Sequence, residues 1–282
     1  MTVSIVVPVV DEAARIVEAL RRLRRDFPEC ELVVVDGGSH DATAELARPL
    51  ARVLRGQPGR ARQMNQGACQ TRGDVLWFIH ADTVVDPAGL PQMLAALADP
   101  ATVGGGLTLR FDRRGAALDY LAWSSNLRAR HLHWVFGDQA MFVRRSVFDA
   151  LGGFPDLPLM EDLELSRRLH RAGRLTVLSA TSTASARRFV EQGPWRMIAL
   201  LQWLKLLYFA GADPEKIRRR YLFDGALAGN VVTAMTGIEI ALWDLAGKIL
   251  GLPVYQLLGG KFRDTVRIYC DSHAGKDFSP AS

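Results

Sequence analysis

An unbroken apolar stretch, Val75-Leu76-Trp77-Phe78-Ile79, runs straight into His80-Ala81-Asp82. That pattern predicts a strand buried on both faces. Its end would emerge at the carboxyl edge of a parallel sheet, the edge where open α/β folds bind ligands. Similar apolar runs predict earlier strands over 4–10, 31–36 and 53–54. Between them lie helical patterns. The first is capped by Asp11, with Ile16, Leu20 and Leu23 on its apolar face; others start near Asp41, run from Gly59 to Gln70, and cover 87–97. Strands alternating with helices of ten or more residues predict right-handed βαβ units and a mainly parallel sheet. Further along, 115–134 reads as a helix and loop, 140–143 as a strand and 161–172 as a helix.

Two acidic residues therefore stand at strand ends, Asp36 and Asp82. After Asp36 the chain turns through Gly37-Gly38-Ser39, where missing side chains let backbone approach a ligand closely. No Gly-Lys-Ser follows, so this is no P-loop, and no G-x-G-x-x-G fingerprint supports a dinucleotide fold. The spacing suggests a nucleoside near Asp36 and a diphosphate neutralised through a hard divalent cation on Asp82. The plainer alternative has Asp82 merely starting a turn into Asp86-Pro87. Arg60, Arg62 and Gln63 open the helix after Gly59; they either meet the pyrophosphate or form a solvated basic face. Asp138-Gln139 either orient substrate hydroxyls or close a structural turn.

Composition narrows the classes. The 282 residues are 49% hydrophobic and 23% charged, as in a globular protein of one large or two modest domains. A net charge of +5 comes from scattered arginine pairs and one triple, Arg218-Arg219-Arg220, with no basic, aromatic-interleaved track for nucleic acid. Attraction for phosphorylated substrates is the milder inference. Cys30, Cys69 and Cys270 share no metal-type spacing and fit a reducing compartment. The apolar residues 3–10 meet Asp11-Glu12 with no basic segment ahead, which predicts a strand and no signal peptide. His131 and His133 lack a third ligand at zinc spacing. The apolar stretch 197–210 is short for a membrane span and carries Lys205. Trp195, Trp203, Leu206 and Leu207, with Arg196 and Lys205, predict an amphipathic helix. It is expected to pack on its own domain, with peripheral membrane contact through 195–210 as the alternative.

Six segments together resemble family 2 glycosyltransferases of the GT-A fold. They are Ser4-Ile5-Val6-Val7-Pro8 with Asp11-Glu12; Val33-Val34-Val35-Asp36-Gly37-Gly38-Ser39; Gly59-Arg60-Ala61-Arg62-Gln63-Met64-Asn65; Ile79-His80-Ala81-Asp82; Gly137-Asp138-Gln139-Ala140-Met141-Phe142; and Gly152-Gly153-Phe154 leading to Glu161-Asp162. The set is similar to the branch labelled arsenosugar-biosynthesis or selenodomain-associated glycosyltransferases, over residues 1–221. The resemblance implies an α/β GT-A (Rossmann-like) fold: a mixed, mainly parallel sheet with helices on both faces. It implies inverting sugar transfer from a nucleotide diphosphate sugar, with Mg²⁺ or Mn²⁺, to a small-molecule or lipid-linked acceptor. It places the protein in the cytoplasm, or at the inner face of the membrane. By position, Pro8, Glu12 and Asp36 line the nucleoside pocket, with Gly37 and Gly38 beside them. Asp82 is the metal-binding member of the D-x-D motif, Asp162 the general base, and Glu161 its neighbour. His80 stands where the first D-x-D aspartate is usual, leaving one carboxylate fewer near the metal. Burial would raise the base's pKa, while the helix N-terminus favours its ionised form. Two other classes stay open: a sugar-nucleotide-binding pseudoenzyme, and a nucleotidyltransferase releasing pyrophosphate.

Beyond 221 the chain changes character. Residues 1–222 hold 30 basic against 24 acidic residues, and residues 223–282 hold 5 against 6. A helix containing Ala241-Leu242-Trp243-Asp244, the Leu257-Leu258-Gly259-Gly260 turn and a strand at 266–270 resemble the mandelate racemase and muconate lactonising branch of the enolase superfamily. Residues 223–282 look like the end of its capping domain plus the first barrel strand, a mainly helical fragment. That family's catalytic Lys and metal-binding acids lie further along the barrel, so no activity is expected of this tail. A fused, truncated or mis-assembled reading frame joined near 220–223 is the expected origin. A fragment of this size lacks a core of its own, so a chain ending at Tyr221 is expected to keep function.

Overall fold

Alternation along the first strand feeds a core on each side of the sheet. In Val3–Val9 (β1), Val3, Ile5, Val7 and Val9 join one apolar cluster and Val6 joins another, because successive side chains of a strand point to opposite faces. The computed structural model describes residues 1–222 and Lys248. The chain divides into two units, Met1–Phe223 and Asp224–Ser282, and the elements below belong to the first. The readings of the Ala241 helix, the Leu257 turn and the 266–270 strand lie outside the described residues.

After β1 come Ala13–Asp26 (α1), Glu31–Asp36 (β2), Thr43–Ala47 (α2), Arg52–Arg55 (β3), Arg60–Cys69 (α3), Val75–Phe78 (β4), Thr83–Val85 (β5), Gly89–Ala96 (α4) and Thr102–Phe111 (β6). Then follow Ala116–Leu132 (α5), a 3-10 turn at Gly137–Gln139, Phe142–Arg144 (β7), Arg145–Ala150 (α6), Glu161–Ala172 (α7), Arg174–Ala184 (β8), Arg187–Gln192 (α8), Pro194–Phe209 (α9) and Pro214–Leu222 (α10). Among the described residues the sheet has eight strands in the order β3-β2-β1-β4-β7-β6-β8-β5. The β3-β2-β1-β4 half is parallel, as is β6 with β8. β7 runs antiparallel to both β4 and β6, and β5 antiparallel to β8. The sheet is mixed, with helices on both faces. Ile16, Leu20 and Leu23 of α1 and Met93 of α4 pack with Trp77 on one side. Ala61, Met64 and Ala68 of α3, Phe148 of α6 and Leu165 and Leu169 of α7 pack with Leu76 and Phe78 on the other.

Several local expectations change. Asp11 does not cap α1: it sits at φ 54°, and its carboxylate accepts from the His40 N–H at 2.7 Å. The first free N–H of the helix, at Ala13, is taken instead by Asp41 Oδ2 at 3.1 Å, a capping contact across chain segments that satisfies the same orphan donor. Asp41 also accepts from the Thr43 N–H at the start of α2, so one carboxylate serves two helix ends. The strands β5, β6 and β8 were not predicted: β5 pairs with β8 a hundred residues away, and β6 pairs with β8 about seventy residues on. α9 does pack on its own domain, but through Met197, Ile198, Leu200 and Leu204. Of the residues expected to make that face, Trp195, Trp203 and Leu206 are exposed and Leu207 is half-buried. Among the described residues no helix is long and apolar enough to cross a membrane.

The glycine run of β6 brings later elements close to the centre of the sheet. A Cβ on Gly106 would lie 2.5 Å from Val135 Cγ1 and 3.1 Å from the Gln139 carbonyl oxygen, so the 3-10 turn can seat against β6 only because that atom is missing. At Gly105 a Cβ would lie 2.0 Å from the Thr176 carbonyl oxygen, backbone of the neighbouring strand β8 that cannot swing aside. Gly105→Ala is therefore expected to cost about 3 kcal/mol by overpacking. A urea titration should show a lower midpoint with an unchanged m-value. An unshifted midpoint would mean that the strands can separate at no cost.

Candidate functional site

The carboxyl ends of β1 and β4 open into a cavity of about 460 Å³. Pro8, Val9, Val10 and Glu12 line one wall, His80-Ala81-Asp82 the floor, and Arg60 and Gln63 enter from the start of α3. Gly137 and Asp138 of the 3-10 turn, packed against His80, and Glu161 and Asp162 at the N-terminus of α7 complete the lining. α5 contributes Arg128 and α9 contributes Lys205. The acids of the turn and of α7 are set by two residues in left-handed backbone conformations, Met160 at φ 68° just before α7 and Ala140 at φ 47° just after the turn. Strain of this kind, about 1–3 kcal/mol per residue, holds the backbone in a turn that the rest of the packing over-determines.

Asp162 is fixed by backbone. Its Oδ2 accepts from the Gly137 N–H at 2.9 Å and its Oδ1 from the Leu163 N–H at 2.7 Å. Gly137 is required there, because a Cβ would fall 2.6 Å from His80 Nε2. The imidazole at the end of β4 thus packs against the turn that holds Asp162. Burial, and then the charge of Arg60, push the His80 pKa down to about 4, so the ring is neutral near pH 7. Burial raises the Glu12 carboxyl above its usual range, with Arg15 opposing and Asp82 adding to the rise.

The raised acid at α7 is Glu161, which is buried and pushed up to about 7 by desolvation and then by the charge of Asp162. Below about pH 4.5 both folded and unfolded chains hold this proton. Between about 4.5 and 7 the unfolded chain releases it while the folded chain keeps it, so stability falls as pH rises through that window. Glu161→Gln should remove the penalty: unfolding free energy unchanged near pH 4 and raised at pH 8 by on the order of 1–3 kcal/mol. A variant no more stable than the parent at pH 8 would show that Glu161 ionises freely in the fold. Asp138 is likewise pushed up, to about 6, by burial against the opposing pull of Arg128. Its Oδ1 is buried and has no hydrogen-bond partner.

Of the residues singled out in the sequence, the fold brings Pro8, Glu12, Arg60, Gln63, His80, Asp82, Asp138, Glu161 and Asp162 to one cavity. Asp36, Gly37, Gly38, Arg62 and Gln139 do not line it. Asp36 Oδ1 accepts from both the backbone N–H and the hydroxyl of Ser39, closing the turn in which Gly38 takes φ 97°. Gly37 lies under Gln63, whose amide donates to the Val9 and Val35 carbonyls and ties β1 to β2. Arg62 turns outward to a two-pronged pair with Asp156. Gln139 is fully buried, donating to the Leu107 carbonyl and accepting from the Phe136 N–H, both at 3.3 Å. Sequence reasoning passed over Arg128 as a cavity residue, and took Lys205 only as a charge on an apolar helix. Neither carries a local signal, because α5 and α9 reach the cavity only through tertiary packing.

Residues 4–151, 148 of the 282, match the glycosyl transferase family 2 model. The chain belongs to that family. Solved glycosyltransferases share its fold. TarS from S. aureus in complex with UDP-GlcNAc superposes with a TM-score of 0.51 at 19% identity, over 66% of this chain and 58% of that one. Glucosyl-3-phosphoglycerate synthase from Mycobacterium tuberculosis, solved with Mg²⁺ and UDP, superposes with a TM-score of 0.53 at 19% identity, over 75% and 80%. A second match, to the N-terminal domain of mandelate racemase and muconate lactonizing enzymes, covers residues 206–259. It begins inside α9, upstream of the expected join, so α10 belongs both to the second match and to the first folded unit. D-xylonate dehydratase of Haloferax volcanii is 45% identical over 80 residues, 26% of this chain and 19% of that protein. D-galactonate dehydratase of Ralstonia nicotianae is 43% identical over 67 residues, 22% and 18%. The chain spans about a fifth of the length of these curated relatives.

The family 2 site is poor in metal ligands of its own. Among the described residues no group of three or more His, Cys, Asp and Glu side chains is placed to hold a metal ion. One exposed carboxylate, Asp82, beside a neutral imidazole still suits a hard cation that keeps its waters and takes its remaining oxygens from substrate phosphates.

Proposed function

We propose that this chain is an inverting glycosyltransferase moving a sugar from a nucleotide diphosphate sugar to an acceptor hydroxyl, with residues 1–221 as the transferase. What carries the reading is one cavity with Asp82 at the end of β4 and Asp162, held by two backbone N–H groups, at the start of α7. Pro8 and Glu12 border the nucleotide, and Arg60 and Gln63 enter beside it. Asp36, Gly37 and Gly38 shape that edge from behind, through the Ser39 turn and the Gln63 clamp. Asp82 would hold Mg²⁺ or Mn²⁺, with His80 next to it; the ion supplies neutralisation of the diphosphate.

Asp162 takes the proton of the acceptor hydroxyl while that oxygen bonds to the anomeric carbon. The bond from that carbon to the diphosphate oxygen breaks on the opposite face, and nucleoside diphosphate leaves with the electron pair. One displacement inverts the anomeric centre and needs one base. Glu161, buried beside Asp162 in the chain, and Asp138 line the same cavity and position the reacting hydroxyls. Screening UDP-, GDP- and dTDP-sugars by thermal shift with Mg²⁺ or Mn²⁺ tests donor binding, and release of nucleoside diphosphate tests turnover. Release of pyrophosphate instead would make it a nucleotidyltransferase. His80 in place of an aspartate favours one second reading, a pseudoenzyme that binds donor without hydrolysing or transferring it; the same assay separates them.

The exposed Trp195, Trp203 and Leu206 support peripheral contact with the inner face of a membrane through 195–210. A chain ending at Tyr221 that loses donor binding would overturn the assignment of the transferase to residues 1–221.

A further inference from the structure

Arg128 of α5 and Lys205 of α9 both line the cavity. Arg128 lies with its guanidinium carbon 3.8 Å from the centroid of Phe136, and Lys205 Nζ lies 5.9 Å from the same ring. Among the described residues neither has a carboxylate oxygen within 4 Å. Arg128 Nη2 is buried without a hydrogen-bond partner, and so is Asp138 Oδ1 in the same cavity. Buried polar atoms are almost always paired, because an unpaired one costs about 1–3 kcal/mol. An orphan donor and an orphan acceptor lining one cavity therefore point to a ligand that supplies both partners.

We propose that Arg128 and Lys205 form a subsite for a phosphate group carried by the acceptor, and that Asp138 receives a hydroxyl of the same molecule. The proposal rests on the transferase reading and names its acceptor class. Charge places the subsite. Arg128 interacts with Asp138 and Asp162, and Lys205 with Arg128 and Asp138, whereas Glu12 interacts with Asp82, Arg15 and Arg187. The cations thus flank the base that the acceptor hydroxyl must reach, and Asp82 is not among the charges that act on either of them. Two like charges brought together out of water repel, and burial with the charge of Arg128 lowers the Lys205 pKa to about 8. A dianion between them relieves that repulsion. The guanidinium fork suits two phosphate oxygens and the ammonium serves as a point charge. A neutral acceptor would leave Arg128 Nη2 buried and without a partner.

The same chemistry is found on a free organophosphate and on a phospholipid headgroup. Glycerol 3-phosphate and glycerol are titrated by calorimetry into the full chain, with and without UDP and Mg²⁺. Vesicles of phosphatidylglycerol are tested by co-sedimentation. Glycerol 3-phosphate should bind and glycerol should not. Arg128→Met and Lys205→Met should each weaken binding at least tenfold, and Arg128→Lys should recover part of the loss. Vesicle binding that shows the same dependence, with weak binding of glycerol 3-phosphate, assigns the phosphate to a lipid. Lys205 is half-exposed, so its variant tests the subsite even where an Arg128 change unfolds the chain. Binding that ignores both residues, or no binding to either probe, overturns the subsite. Failure of the parent chain to bind UDP while Arg128-dependent phosphate binding persists overturns the transferase reading and leaves the subsite standing.

Discussion

Asp162→Asn should lower kcat by about 10²–10⁴, the span expected on losing a positioned general base, with donor affinity little changed. The two backbone contacts sharpen this expectation. Gly137 N–H and Leu163 N–H each donate to a different carboxylate oxygen, and an asparagine offers one oxygen and one amide nitrogen. One N–H would then face another donor, so the variant should also lose about 1–2 kcal/mol of stability. Single-turnover rates measured beside donor titrations and thermal melts separate these effects. A collapse of donor affinity with the melt unchanged would move Asp162 into the nucleotide site and leave the reaction without its base.

Asp82→Asn, or removal of divalent metal with EDTA, should weaken donor binding and cut turnover roughly 10²–10³-fold, the worth of several kcal/mol of charge stabilisation. A carboxylate facing two phosphates repels them unless a cation lies between. The fold should survive, because Asp82 is exposed and the floor is held by backbone: Ile79 N–H donates to the Val6 carbonyl at 3.1 Å and Thr83 N–H to the His80 carbonyl at 3.0 Å. Full activity in EDTA with an unaltered rate for Asp82→Asn would end the metal assignment. His80 is no equivalent of the lost carboxylate, since a neutral imidazole brings no negative charge to hold a hard divalent cation.

Much of the architecture was legible because it is written in local patterns. The run from Val75 to Ile79, the similar apolar run through β1 and the helix at Glu161 each follow from spacing that burial requires. Ordered motifs carried the family likewise. Side-chain direction was not legible. Asp36 and Asp82 both end apolar strands, yet Asp36 is buried and bonded to Ser39 while Asp82 faces the cavity. Arg60 and Arg62 share a helix start, but a helix turns about 100° per residue. Arg60 lines the site, and Arg62 pairs with Asp156, almost a hundred residues on.

The sequence by itself determined the strands β1 to β4 and β7, the helices packed against them, the family and the acids that could do chemistry, since each depends on residues close along the chain. Tertiary structure alone decided which of those acids meet. It placed β8 between β6 and β5, let the 3-10 turn close onto β6 through Gly106, and so set the Gly137 N–H against Asp162. It also brought α5 and α9 over the cavity, delivering Arg128 and Lys205. Contacts of that kind join segments far apart in the chain, and their free energy depends on closing loops and excluding water at once, which no local spacing records.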